Sequence, residues 1–214
     1  MKVIVDLVTN HCGTAHWWMK DLPFKDWIHV WDTYTKSNCS FATQNDLYAS
    51  SADRMSEEAG WFDTSMPDMN LDNPYMLNYF IQCAIWWIEW SGLDGYRLDT
   101  YPYNEKVPMS KFNQAIYDEY PDFNIVGETW YPVGPAFTAW WQQDSEHSGA
   151  YNSHLKTVMD FNLMFTCQTA FDDATKQEEQ HSSGVFKLYE ASTIVLIVYI
   201  INIKQTRYNN FIRK

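Results

Sequence analysis

The stretch Gly92-Leu93-Asp94-Gly95-Tyr96-Arg97-Leu98-Asp99 reads as a short buried strand, Leu93–Leu98, that ends in charge at Asp99. Alternate residues of a strand share a face, so Arg97 and Asp99 point the same way while Tyr96 and Leu98 point the other. A cation two residues from a carboxylate on one face favours the ionised acid. Working upstream, Asp72-Asn73-Pro74 supplies a cap and an N1 proline. Met76, Leu77, Phe80, Ile81, Ala84, Ile85 and Ile88 follow at spacings of three and four, one apolar face of a helix that Gly92 closes. Downstream, Lys111–Tyr120 reads as a helix stopped by Pro121. Phe123–Val126 reads as a strand running into Gly127-Glu128-Thr129-Trp130, and Val158–Phe165 as a further strand. Met1–Val8 is a β-branched run of the kind buried on both faces of a sheet. Strand, helix, strand, helix, strand is the order of parallel βαβ units, whose active groups collect at the carboxyl ends of the strands.

Three such ends carry polar clusters: Asp6 to His11, Arg97 with Asp99, and Glu128. Asp99 and Glu128 lie 29 residues apart, about one βαβ repeat. Two carboxylates at matching ends of neighbouring parallel strands face the same side of the sheet. A pair of that kind, one ionised and one protonated, is what glycoside cleavage requires. The plainer alternative is that each acid caps the helix after its strand. Between the first strand and the helix at Pro74, His11–Met69 is irregular and rich in Trp, Asp, Ser, Thr and Asn. It is too long for an ordinary loop and reads as an inserted subdomain.

Composition narrows the partners. Among 214 residues, 27 acids against 15 bases give a net charge of −12, a surface that repels phosphate backbones and argues against nucleic acid. Eleven Trp and fourteen Tyr offer flat faces with polar edges that suit stacking on sugar rings, and equally suit filling a core. Cys12, Cys39, Cys83 and Cys167 show no C-x-x-C spacing, which argues against structural zinc, and are expected to be buried small apolar residues. Met1–Val8 is too short for the apolar core of a signal peptide. The longest apolar run, Thr193–Ile203, is about half of a membrane span. From Ala191 the text changes to ASTIVLIVYIINIKQTRYNNFIRK, without Asp, Glu, Gly, Pro or Trp. Residues 191–214 read either as a buried strand with a basic tail or as a disrupted reading frame.

These stretches resemble the α-amylase family of glycoside hydrolases. Its first conserved region, D-x-V-x-N-H, stands at Asp6-Leu7-Val8-Thr9-Asn10-His11. Its second, G-x-D-G-x-R-x-D, stands at Gly92–Asp99, and its third at Gly127-Glu128-Thr129-Trp130. The additional region M-P-D-x-N is Met66-Pro67-Asp68-Met69-Asn70. The look is nearest to the neopullulanase and cyclomaltodextrinase branch, through Asn10–His29 and Asp94–Tyr103. The resemblance implies an α/β fold, a partial (β/α)8 TIM barrel of about strands 3–6 with a small domain inserted after strand 3. On that reading residues 1–11 are barrel strand 3, 12–70 the insertion, 71–190 the rest of the barrel, and 191–214 an atypical tail.

The resemblance further implies a retaining hydrolase of α-1,4 and also α-1,6 glucans such as starch, pullulan or cyclomaltodextrins. Asp99 would be the nucleophile and Glu128 the acid/base. Arg97 would position Asp99, Asp6 would hold Arg97, His11 would bond the sugar at the cleavage subsite, and Trp130 would line it. Asn10 is structural in most members and binds calcium in some, and no acidic loop points to a dedicated metal site. Relatives in this branch are periplasmic or cytoplasmic, and homo-oligomers occur. The family's fourth region, a His-Asp pair carrying a third catalytic carboxylate, has no match: none of the six His is followed by Asp. A barrel of this kind takes about 250 residues. The expectation is therefore an incomplete catalytic domain that turns over poorly by itself; the alternative is an inactive glycan-binding remnant or pseudogene product.

Overall fold

A computed structural model describes residues 1–40, 42–131 and 134–172. In chain order the elements are β1 (Ile4–Val8), α1 (Ala42–Asn45), α2 (Ser51–Glu58), α3 (Pro74–Ser91), β2 (Gly95–Asp99), α4 (Lys106–Glu119), β3 (Asn124–Gly127), α5 (Pro135–Trp140), β4 (Thr157–Val158) and α6 (Phe161–Asp172). The four strands form one parallel sheet in the order β1-β2-β3-β4. The register sets Asp6 beside Arg97, Val8 beside Asp99, and Leu98 beside Gly127.

Helix α3 forms as its ends dictate. The Asn73 Oδ1 accepts from the backbone N–H groups of Tyr75 (2.9 Å) and Met76 (3.3 Å), and Pro74 occupies a position that needs no donor. Gly92, at φ 61°, takes the left-handed turn that ends the helix. Met76, Phe80, Ala84 and Ile88, four residues apart, form its buried face against the sheet. Tyr96 and Leu98 meet that face from β2, and the Tyr96 hydroxyl donates to the Ala84 carbonyl at 2.7 Å. Arg97 and Asp99 therefore point to the opposite side, away from α3. Helix α4 covers the sheet beside α3 through Met109, Phe112 and Ile116. Phe112 is fully enclosed, so Phe112→Ala is expected to cost about 3–5 kcal/mol in urea unfolding, with the slope unchanged.

The structure corrects several sequence expectations. Among the described residues strand β1 pairs only with β2, and Ile4, Val5 and Val8 are exposed; a β-branched run needs neighbours on both sides to be buried. The strand expected over Val158–Phe165 is only Thr157–Val158, followed by helix α6. The Asp160 Oδ1 accepts from the Leu163 N–H at 2.8 Å, and Phe161, Met164 and Phe165 gather on one side of the turn that follows. Helix α4 starts at Lys106 rather than Lys111, since Pro108 fits a first turn without breaking it. None of the four cysteines is fully buried: Cys39 is exposed and the others half-buried. Residues 191–214 lie outside the described residues.

The inserted stretch has no separate core. Trp18 and Trp27 pack edge to face on each other (5.6 Å) and both meet Tyr79 of α3, so insertion and barrel share one apolar cluster. Its return is pinned to the end of β1 by Met69 N–H to Asn10 carbonyl (2.8 Å) and Cys12 N–H to Pro67 carbonyl (3.1 Å). One feature of the insertion opposes stability. Glu57 of α2 is fully enclosed, the Gln44 side chain beside it offsets only part of the cost, and burial pushes its carboxyl up to about 9. An acid raised in the fold keeps a proton that the unfolded chain releases near 4.5, so stability falls as pH climbs from there towards 9. Glu57→Gln should thus raise the unfolding free energy by roughly 2 kcal/mol or more at pH 8 and leave it nearly unchanged at about pH 3, where both states hold the proton.

Candidate active site

On the side of the sheet away from α3, β1, β2 and β3 converge on one guanidinium. Arg97 Nη1 donates to Asp6 Oδ1 at 2.8 Å from the neighbouring strand, and also to Asp99 Oδ1 on its own strand. Arg97 Nη2 pairs with Glu128 Oε1, at the end of β3. Three carboxylates from three adjacent strands thus share one cation, and the planar fork of Arg is the side chain that can serve them at once.

Glu128 has a second anchor. Its Oε2 accepts from the Thr100 backbone N–H at 2.9 Å. Thr100 follows Asp99 in a left-handed conformation at φ 46°, rare for a β-branched residue. Strain of that kind, about 1–3 kcal/mol, persists where the surroundings enforce it. Burial pushes the Glu128 carboxyl above the usual range; the Thr100 N–H and Arg97 pull it back, and Asp99 pushes it up again. Glu128 does not cap a helix, so the plainer alternative for this acid fails. Gly127, just before it, lets Leu155 and Tyr101 close in: a Cβ would lie 2.6 Å from Leu155 Cδ2 and 3.1 Å from Tyr101 Cγ, so both side chains would have to shift.

Around this centre the other expected residues take defined places. His11, at the end of β1, stacks on Phe62 of the insertion (5.1 Å, 18°), and its Nδ1 lies 3.1 Å from Asn10 Oδ1. Burial lowers its imidazole below the usual value, opposed by the Asp99 charge. Phe62 in turn meets Tyr103 edge on. Trp130 is half exposed, with one face laid on Phe161 at 4.8 Å and 9°. Asp6 and Arg97 therefore stand mid-strand in β1 and β2, Asp99 and Glu128 at the carboxyl ends of β2 and β3, and His11 and Trp130 in the loops beyond. Thr100 and Phe62 were not foreseen. A backbone conformation leaves no mark in a threonine's letter, and Phe62 lies in a stretch without periodicity.

Asn10 spends its amide within the chain, Nδ2 donating to Asp68 at 2.8 Å and Oδ1 facing His11. Nearby, His29, Asp68 and Glu105 carry donor atoms within 4.8 Å of one another. One imidazole with two carboxylates is a set closer to a transition metal's than to calcium's.

Comparison with known proteins agrees with this geometry. Residues 1–197 match the model of the alpha-amylase catalytic domain. The chain belongs to the alpha-amylase family. It is 31% identical over 159 residues to an intracellular maltogenic amylase of Bacillus subtilis, and 27% identical over 168 residues to a cyclomaltodextrinase of Thermoanaerobacter pseudethanolicus. These alignments take in 71% and 75% of the chain but only 23% and 26% of the relatives, so the chain spans about a quarter of their length. An Anoxybacillus alpha-amylase structure superposes with a TM-score of 0.64 at 27% identity, covering 87% of the chain and 36% of that protein. An alpha-amylase of Geobacillus thermoleovorans, solved with acarbose, gives 0.59 at 30% identity, covering 79% and 32%. The family's catalytic domain is a (β/α)8 barrel, and the four parallel strands in sequence order are a part of it. No helix among the described residues of this alpha-amylase-family chain is long and apolar enough to cross a membrane.

Proposed function

We propose that this chain carries the nucleophile and the acid/base of a retaining hydrolase of α-1,4 glucans, extending to α-1,6 links, with cyclomaltodextrins, pullulan and starch as substrates. The observation that carries the reading is one guanidinium paired to both Asp99 and Glu128 at the ends of neighbouring parallel strands. Bridging by one side chain supports the short separation of a retaining pair, about 5–5.5 Å, over the wider gap that an inverting pair leaves for water. Asp99, ion-paired to Arg97, presents its carboxylate to the anomeric carbon. Glu128, raised by burial, holds a proton for the departing oxygen and then takes one from the incoming water. Arg97 and Asp6 are positioning residues. His11 bonds a hydroxyl of the sugar, and the free face of Trp130 stacks on a neighbouring ring.

No step passes through a metal. Without a His-Asp pair to supply a third carboxylate, multiple turnover of unactivated glucans by the 214-residue chain is expected to be slow. The test is therefore covalent. A 5-fluoro-α-glucosyl fluoride carries a leaving group that needs no protonation, and a retaining enzyme converts it into an ester on its nucleophile. Mass spectrometry should find that ester on the Asp99 peptide. Binding of maltoheptaose with no ester would instead favour the glycan-binding remnant, which the half-exposed Trp130 on Phe161 would serve.

A further inference from the structure

A hydrogen-bond relay runs from the insertion to the candidate cleavage subsite. His29 Nδ1 lies 2.7 Å from Asp68 Oδ2, Asp68 Oδ1 accepts from Asn10 Nδ2 at 2.8 Å, and Asn10 Oδ1 lies 3.1 Å from His11 Nδ1. The segments are held in register by backbone bonds, His29 N–H to the Asp68 carbonyl (3.0 Å) and Met69 N–H to the Asn10 carbonyl (2.8 Å). Asp68 and Asn10 are buried, so neither side chain is free to turn towards water. On the far side of the ring, His29 Nε2 faces Glu105 Oε1 at 3.8 Å.

We propose that His29 sets the tautomer of His11 through Asp68 and Asn10, leaving His11 Nε2 as a hydrogen-bond acceptor. One proton is shared on the line between His29 Nδ1 and Asp68 Oδ2. Whichever atom holds it, Asp68 Oδ1 carries none and can only accept. Asn10 must then aim its NH2 at Asp68 and its carbonyl at His11. A carbonyl accepts only, so the neutral His11 ring places its hydrogen on Nδ1. A ring fixed in that form selects a sugar hydroxyl that donates. This last step, toward sugar, rests on the proposed function; the tautomer does not. His29 is thus a positioning residue 18 positions away in sequence from the ring it controls.

The test reads the tautomer itself, in the full 214-residue chain labelled with 15N-histidine, by long-range 1H–15N correlation of the imidazoles at pH 8. The His11 signals are assigned by their loss in His11→Gln. His11 is expected in the Nδ1–H form. In His29→Leu the buried Asp68, its carboxyl raised well above the usual range by desolvation, takes up a proton of its own that is free to sit on either oxygen, the Asn10 amide turns over in part, and the Nδ1–H signature is lost in favour of a mixture. His29→Asn, whose amide nitrogen replaces Nδ1, should restore it. His29→Gln, whose amide replaces Nε2 instead, should not.

An Nε2–H form of His11 in the unaltered chain would overturn the proposal, even if the leucine variant fails to fold. So would a folded His29→Leu or His29→Gln protein with the tautomer unchanged, or a tautomer that changes on adding calcium or zinc chloride or EDTA, since a cation would then do the holding. Because no turnover is read, failure here leaves the retaining-hydrolase reading standing. Equally, absence of the glucosyl ester on Asp99 leaves the relay standing.

Discussion

Asp99→Asn is expected to abolish the glucosyl ester formed from the 5-fluoro-α-glucosyl fluoride, lowering its rate of formation by about 10³-fold or more, whereas Glu128→Gln is expected to leave ester formation within about tenfold. The two acids do different work. Asn at position 99 has no anionic oxygen to attack the anomeric carbon, and the neighbouring Glu128 is tied to Arg97 and the Thr100 N–H. Fluoride departs unprotonated, so loss of the proton on Glu128 costs little in the first step. With a cyclomaltodextrin, whose leaving oxygen needs that proton, Glu128→Gln should cost about 10²–10⁴-fold. Release of the ester should slow as well, for the same residue takes the proton from water. Intact-mass time courses on the three proteins read all of this. An ester that still forms in Asp99→Asn would assign the nucleophile elsewhere.

Arg97→Leu should be the most damaging single change to the site as a structure. It leaves Asp6, Asp99 and Glu128, from three adjacent strands, facing one another without the cation they share. Removing one partner of a buried ion pair costs about 3–5 kcal/mol. The Arg97 side chain keeps about a fifth of its surface in water, and the Asp6 side chain over half, so a loss of about 2 kcal/mol is the better expectation. Its pH dependence is diagnostic. Arg97 lowers Glu128 against the rise that burial causes, so without it that carboxyl climbs further. A raised acid destabilises the fold increasingly as pH rises above its unfolded value, so the deficit should be small at pH 4 and full at pH 8. Urea unfolding of both proteins at the two pH values measures it. A deficit independent of pH would mean that Arg97 acts by packing its stem rather than by charge.

Much of this site was legible one residue at a time. Arg97 and Asp99 share a face because a strand has a period of two, and Glu128 joins them because parallel strands one repeat apart end at the same level. The helix over 74–91 was legible for the same reason, with a cap, an apolar stripe and a terminal glycine within one stretch. Where local pattern and tertiary setting disagreed, the setting won. MKVIVDLV carries the pattern of an interior strand, yet β1 lies at the edge of the described sheet. The apolar letters of Val158–Phe165 suit a strand or a helix equally, and only the side-chain bond from Asp160 and the packing of Phe161 decide it.

What the sequence by itself determined is the family and which charged groups gather at the strand ends. The face shared by Arg97 and Asp99 and the level of Glu128 follow from strand periodicity and βαβ length, both local properties of the chain, whereas Asp6 was singled out by the resemblance of Asp6–His11 to the family's first region. What only the tertiary structure decided is how those groups are held and charged. The left-handed Thr100 that offers its N–H to Glu128, the Phe62 ring under His11, and the line from His29 through Asp68 and Asn10 join residues far apart in sequence. Hydrogen bonds and burial of that kind depend on distances in space, and no local pattern of letters encodes a distance between segments that the fold alone brings together.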